Sequence, residues 1–138
     1  MPKQLTVFSD GGARGNPGPA AIGFLILSDK GEVLMAKSRC IGSRTNNQAE
    51  YEALIAALKS AIALRAEEVV CNLDSELVVN QLNGCYRVKN LELKKLWRKV
   101  QKLSKSFKKS SFISVPRTNI QIQKADALVN KALDEEIG

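Results

Sequence analysis

Strand-length apolar runs alternate with helix-length periodic segments along this chain, and that alternation confines it to layers of sheet and helix. Leu5–Ser9 reads as a short strand ending in Asp10, and the Gly- and Pro-rich stretch Gly11–Pro19 reads as a loop. Ala21–Leu27 has the character of a buried strand, Asp29-Lys-Gly31 that of a hairpin turn, and Val33–Ile41 that of the returning strand. Asn46–Leu64 is the clearest helix: Tyr51, Leu54, Ile55, Leu58, Ala61 and Ile62 fall at helical spacing, and Thr45 with Gln48 fits a capping box. Val69–Leu73 is a short strand ending in Asp74, and Ser75 is suited to cap a short helix over Glu76–Leu82 that Asn83-Gly84 stops. Leu93, Leu96, Trp97, Val100, Leu103 and Phe107 form the apolar stripe of a further helix. Phe112–Val115 is a last strand closed by Pro116, and Ile120–Ile137 a closing helix. The order βββαβααβα implies a mixed sheet with helices on its faces, and 138 residues with no repeat or linker are expected to make one domain over 1–138.

Composition removes several chemistries. There is no histidine, which excludes Ser-His-Asp and Cys-His triads, His-ligated zinc and any imidazole base. Cys40, Cys71 and Cys85 are odd in number and lack CxxC spacing, so neither a disulfide framework nor a cysteine zinc site is expected. The longest apolar stretch, around Leu54–Leu64, is interrupted by Lys59 and is far shorter than a membrane span. Met1-Pro2-Lys3-Gln4 runs straight into the first strand-like segment with no leader-like pattern, and a cytoplasmic location is expected. Chemistry must rest on carboxylates, lysine, hydroxyls or a bound metal.

Charge is concentrated. From Tyr86 to Arg117 eleven basic residues stand against one acid, Glu92, so that segment carries +10 within a net charge of +7. A basic element on a mildly acidic body is the electrostatic outline of a nucleic-acid binder, although a solvated lysine-rich helix face looks the same.

Asp10 and Asp74 share one placement, each closing a short apolar strand. Ligands of open α/β sheets bind beyond the carboxyl ends of the strands. If the two strands are parallel neighbours, both aspartates stand at one sheet edge and repel unless a cation lies between them. Oxygen-only donors suit magnesium or manganese. Glu50, early in the long helix, shares part of its face with Leu54 and Ala57, and Asp126 lies one turn before Val129. Any single one of the four, taken alone, reads first as a cap or a solvated charge; it is the four together at one sheet edge that point to a site.

Five strings then match a known family: Ser9-Asp-Gly-Gly-Ala-Arg-Gly-Asn-Pro-Gly-Pro19, Thr45-Asn-Asn-Gln-Ala-Glu-Tyr51, Leu73-Asp-Ser-Glu-Leu-Val-Val-Asn-Gln81, Tyr86-Arg-Val-Lys-Asn90 and Lys124-Ala-Asp-Ala-Leu-Val-Asn130. In this order and spacing the chain resembles type 1 ribonuclease H in its short form. The resemblance implies an α/β fold with a five-stranded mixed sheet in the order 3-2-1-4-5, the first three strands antiparallel, flanked by helices. It implies endonucleolytic hydrolysis of the RNA strand of an RNA–DNA hybrid, giving 5′-phosphate and 3′-hydroxyl ends. The family's catalytic and metal-ligating carboxylates fall on Asp10, Glu50, Asp74 and Asp126, with two Mg2+ ions per site and Mn2+ as a substitute. Asn16 and Asn46 match positions that read the RNA strand, and Thr45 one that helps hold a phosphate of the DNA strand. Gly11 and Gly12 would let the backbone come close to the hybrid, and Arg87 and Lys89 would touch phosphates. A monomer is expected.

Two departures stand out. The loop Pro116–Gln123 lacks the histidine that many members carry there, and Arg117 or Asn119 could stand in, Arg117 by offering a cation to the departing phosphate. Glu76 stands where many relatives have glutamine. Two other readings stay open: a related nuclease that also cuts double-stranded RNA, and a non-catalytic nucleic-acid-binding module on the same fold.

Overall fold

The computed structural model describes residues 4–137; residues 1–3, on which the leader-free reading rests in part, and Gly138 lie outside the described residues. In chain order the elements are β1 (Gln4–Ala13), β2 (Gly18–Leu27), β3 (Val33–Arg44), α1 (Asn46–Ala63), β4 (Glu68–Leu73), α2 (Glu76–Leu82), α3 (Leu91–Ser104), β5 (Lys109–Ser114) and α4 (Ile120–Ile137). The five strands form one sheet in the order β3-β2-β1-β4-β5. β1 and β3 each pair antiparallel with β2, while β4 pairs parallel with both β1 and β5. Order and strand directions are those the resemblance implies.

Both faces of the sheet are covered, and the burial of each strand follows from that. Residues 20–27 of β2 are all buried, because α1 packs on one face and α4 on the other. A strand with two covered faces reads as a continuous apolar run. The larger core lies under α1, α2 and α3, with Leu5, Val7, Tyr51, Leu54, Leu58, Val78 and Val100 fully buried in it. Ala21, Val129 and Leu133 make the smaller contact beneath α4. β3 lies at one edge of the sheet, and Val33 and Leu34 on it are exposed.

The capping box on α1 is present in full. Thr45 Oγ1 accepts from the Gln48 backbone N–H, and Gln48 Oε1 accepts from that of Thr45. Ser75 and Asn90 cap α2 and α3 in the same way, each accepting from a backbone N–H of the first turn. No helix of the described residues is long and apolar enough to cross a membrane.

Three expectations are corrected. β1 does not end at Asp10; Gly11, Gly12 and Ala13 continue it, opposite Ile22, Ala21 and Ala20 of β2. A Gly-Gly sequence reads as a loop, but here the missing side chain of Gly11 serves close packing in a strand. α3 ends at Ser104, so Phe107 joins the core from the turn that follows and not from the helix. β5 begins at Lys109, three residues before the first apolar residue that marks it in the sequence.

Candidate active site

The register of the parallel β1–β4 pair brings the acids together. Phe8 pairs with Asn72 at the end of the ladder, and Asp10 and Asp74 each lie two residues further along. With a side-chain period of two, both therefore project from the same face at the same sheet end. Glu50 arrives from the second turn of α1. Oxygen atoms from Asp10, Glu50 and Asp74 lie within 4.8 Å of one another.

Gly11 makes the arrival of Glu50 possible. A Cβ on Gly11 would stand 2.1 Å from the Ala49 carbonyl oxygen, so no other residue lets α1 lie this close to β1. At that approach the Gly11 backbone N–H donates to Glu50 Oε1. The glycine thus answers first to helix–strand packing, a reason distinct from access for a substrate. Gly23 on β2 repeats the device across the sheet: its Cβ would stand 2.6 Å from the Ala125 carbonyl oxygen, which seats α4 beside the site.

Burial makes this cluster expensive to ionise. Glu50 and Asp10 are 6% and 8% exposed. Removal from water pushes the Asp10 carboxyl up to about 7, helped by the Asp74 and Asp126 charges, against the lowering effect of its contact with Glu50. Desolvation raises Glu50 well above the ordinary carboxylate range, and the neighbouring Asp10 adds to it. Close carboxylates held this way against their own repulsion fit a divalent cation between them. The donor set is oxygen alone, so it fits Mg2+ or Mn2+.

Asp126 joins from the opposite wall. It lies on α4, exposed, and with Asp10, Gly11, Gly12, Asn46, Asp74 and Arg117 lines a cleft of about 280 Å³. It stands outside the tight trio, and Asn130, one turn on, donates to both its carboxylate and its backbone carbonyl. Arg117 reaches across the cleft, with Nε 3.4 Å from Asp74 Oδ2.

The residues matched to substrate contacts divide into two groups. Asn16 and Asn46 are joined: Asn16 Oδ1 accepts from the Asn46 backbone N–H at 3.0 Å, and Asn46 Oδ1 accepts from that of Ala13 at 2.9 Å. The carbonyl oxygens are committed to backbone, which turns the amide nitrogens into the donors left for a ligand. These two, with Thr45, Asn47, Gln48 and Asn90, line an adjoining recess of about 250 Å³. Thr45 serves as helix cap there. Arg87 and Lys89 are exposed on the connection between α2 and α3, apart from the acidic cleft. Glu76 is exposed in the first turn of α2, where an acid suits the helix dipole.

A polar chain behind the site is not legible in the sequence. Tyr51 Oη donates to Gln81 Oε1 at 2.7 Å, and Trp97 Nε1 donates to the Gln81 carbonyl at 3.1 Å, tying α1, α2 and α3 together. By spacing alone Tyr51 and Trp97 are only members of apolar stripes. Gln123, on the cleft wall, carries no sequence signal either.

A family model described as reverse transcriptase-like matches residues 8–132. The bifunctional protein Rv2228c of Mycobacterium tuberculosis is 41% identical over 132 residues, covering 95% of this chain and 36% of that protein. Ribonuclease HI of Halobacterium salinarum is 41% identical over 133 residues, covering 96% of this chain and 65% of that protein. The chain therefore spans about a third of the length of the first relative and under two-thirds of the second. The crystal structure of LC11-RNase H1 in complex with an RNA/DNA hybrid superposes with a TM-score of 0.90 at 40% identity, covering 97% of this chain and 99% of that one.

Proposed function

The chain belongs to the ribonuclease H family, and from that premise we propose that it hydrolyses the RNA strand of RNA–DNA hybrids, leaving 5′-phosphate and 3′-hydroxyl ends. The observation that carries the reading is the close trio Asp10, Glu50 and Asp74 at the sheet edge, the first two buried, with Asp126 across the same cleft. The hybrid bound to LC11-RNase H1 supports the choice of substrate.

Asp10, Glu50 and Asp74 would hold divalent cations, with Asp126 completing the ligand set from α4. Two such ions, when bound, neutralise charge building on the phosphate, activate water and stabilise the leaving oxygen. The rest falls to the chain. β1 and β4 fix two carboxylates in register, and the Gly11 N–H fixes the third. Gly12, half-buried on the cleft wall, lets backbone approach the hybrid. Asn16 and Asn46 offer amide N–H groups to 2′-hydroxyls or base edges in the minor groove, which is how an RNA strand is told from DNA. Arg87, Lys89 and the cations of α3 supply phosphate contacts without sequence preference.

The test is cleavage of a uniform hybrid labelled on the RNA strand, with Mg2+, with Mn2+ and with chelator, beside Asp10→Asn. Cuts that need metal and vanish in the variant are expected. A double-stranded RNA lane fixes the substrate range. Tight hybrid binding without cuts under either metal would make the chain a binding module.

A further inference from the structure

We propose that Arg117 is the cleft's own counter-ion: it rests on Asp74 until a divalent cation takes that carboxylate, and the released guanidinium then meets the phosphate of the substrate. The inference rests on the metal-dependent reading above and adds a competition to it.

Among the described residues Arg117 is the basic side chain that lines the acidic cleft, and Asp74 is the member of the trio that has an ion-pair partner. The geometry is that of a contact made to be given up. It is a single Nε–Oδ2 approach of 3.4 Å, not a two-pronged fork on the carboxylate. The Asp74 side chain is 13% exposed and that of Arg117 90%, so the guanidinium lies on the solvent side of the acid. A single long contact from so exposed a guanidinium is worth little and is easily displaced. Yet its position matters. A carboxylate oxygen shared between a guanidinium and a divalent cation sets two positive charges against each other, so metal entry and Arg117 contact oppose one another. Arg117 also follows Pro116 on the short connection from β5 to α4, which keeps its Cα beside the cleft while leaving its side chain free to swing. Arginine keeps its charge at every working pH, so this exchange needs no titrating group.

The experiment measures metal binding with no nucleic acid present. Mg2+ is titrated by calorimetry and Mn2+ by electron paramagnetic resonance of the free ion, into the whole chain, Arg117→Ala and Arg117→Lys. Arg117→Ala should bind the cations ~3- to 10-fold more tightly, with the gain shrinking as salt rises, while Arg117→Lys stays closer to the parent. In hybrid cleavage Arg117→Ala should raise KM despite its better metal binding. Equal or weaker metal binding by Arg117→Ala overturns the proposal. Tighter binding by a protein that cuts no hybrid sustains the counter-ion and sinks the nuclease. Intact cleavage with unchanged metal affinity does the reverse, and no measurable binding of either metal overturns both.

Discussion

The acidic cleft and the basic helix α3 put charge on the surface in opposite ways. Asp10, Glu50 and Asp74 come from three parts of the chain, and two of them are almost wholly buried. On α3 the cations Lys95, Arg98, Lys99 and Lys102 all stand on one element, at least partly open to solvent, while its other side packs Leu93 and Val100 into the core. The carboxylates are held where they cost stability, so their positions must matter one by one. The cations are held where they cost nothing, so their number should matter more than their places. Asp10→Asn tests the first half with the largest effect. It should lower kcat by about 10³-fold or more while leaving hybrid affinity within a few-fold, because it removes a proposed cation ligand and a negative charge that repels phosphate. A steady-state assay beside a binding titration reads both. Loss of binding together with activity would break the contrast.

Gly11→Ala strikes the same cleft through the backbone. The added Cβ would meet the Ala49 carbonyl oxygen at 2.1 Å, so α1 must retreat from β1 and Glu50 must lose the Gly11 N–H. A drop of about 3 kcal/mol or more, or failure to fold, is expected in urea denaturation. A variant of normal stability would mean that α1 is free to shift and the trio is less fixed than its burial indicates.

That glycine also marks where sequence reasoning stops. The alternation of apolar runs suffices for all nine elements, their types and their order, and short parallel strands place Asp10 and Asp74 side by side. Those readings depend on local periodicity, which sequence displays. The extension of β1 through Gly11 and Gly12 depends on a carbonyl 38 residues away along the chain, which it does not. The same holds for Gly23 under α4, and for Gln81, whose side chain and backbone carbonyl are taken up by Tyr51 and Trp97. The motif strings assign all four carboxylates to one site. The structure grades them: oxygens of three lie within 4.8 Å of one another, and Asp126 meets Asp10 from an exposed helix position.

The cost of the buried cluster should show in the metal-free protein as a dependence on pH. Asp10 ionises near 3.8 when unfolded and at about 7 when folded. Between those values the folded state keeps a proton that the unfolded state has released. The group's contribution is therefore complete below about 3.8 and is lost as pH rises through about 7. Thermal unfolding in chelator should place the parent on the order of 2 kcal/mol lower at pH 8 than at pH 5, relative to Asp10→Asn at the same two values. Added Mg2+ should recover that loss in the parent and not in the variant. A difference between the two proteins that does not change with pH would show that the cluster is hydrated and its burial immaterial.

The basic helix carries the smallest expected effects, and they sharpen the comparison from its other side. Arg98, Lys99 and Lys102 have no ion-pair partner among the described residues, whereas Lys95 pairs with Glu92. Replacing any one of the three by Ala should raise KM for the hybrid about two-fold and leave kcat alone, as expected for a phosphate contact that holds no fixed geometry. Replacing all three should flatten the dependence of log affinity on log salt by about 0.7 to 0.9 for each phosphate that is no longer neutralised. Stability should hardly change, because the apolar stripe that seats α3 is untouched. Lys95→Ala is the internal control: its ammonium is already engaged by Glu92 at 3.5 Å, so it should move the slope least. If instead one of these cations alone carried the whole effect, or if kcat fell with it, α3 would be a positioned element like the cleft, and charge on this helix would count by place and not by sum.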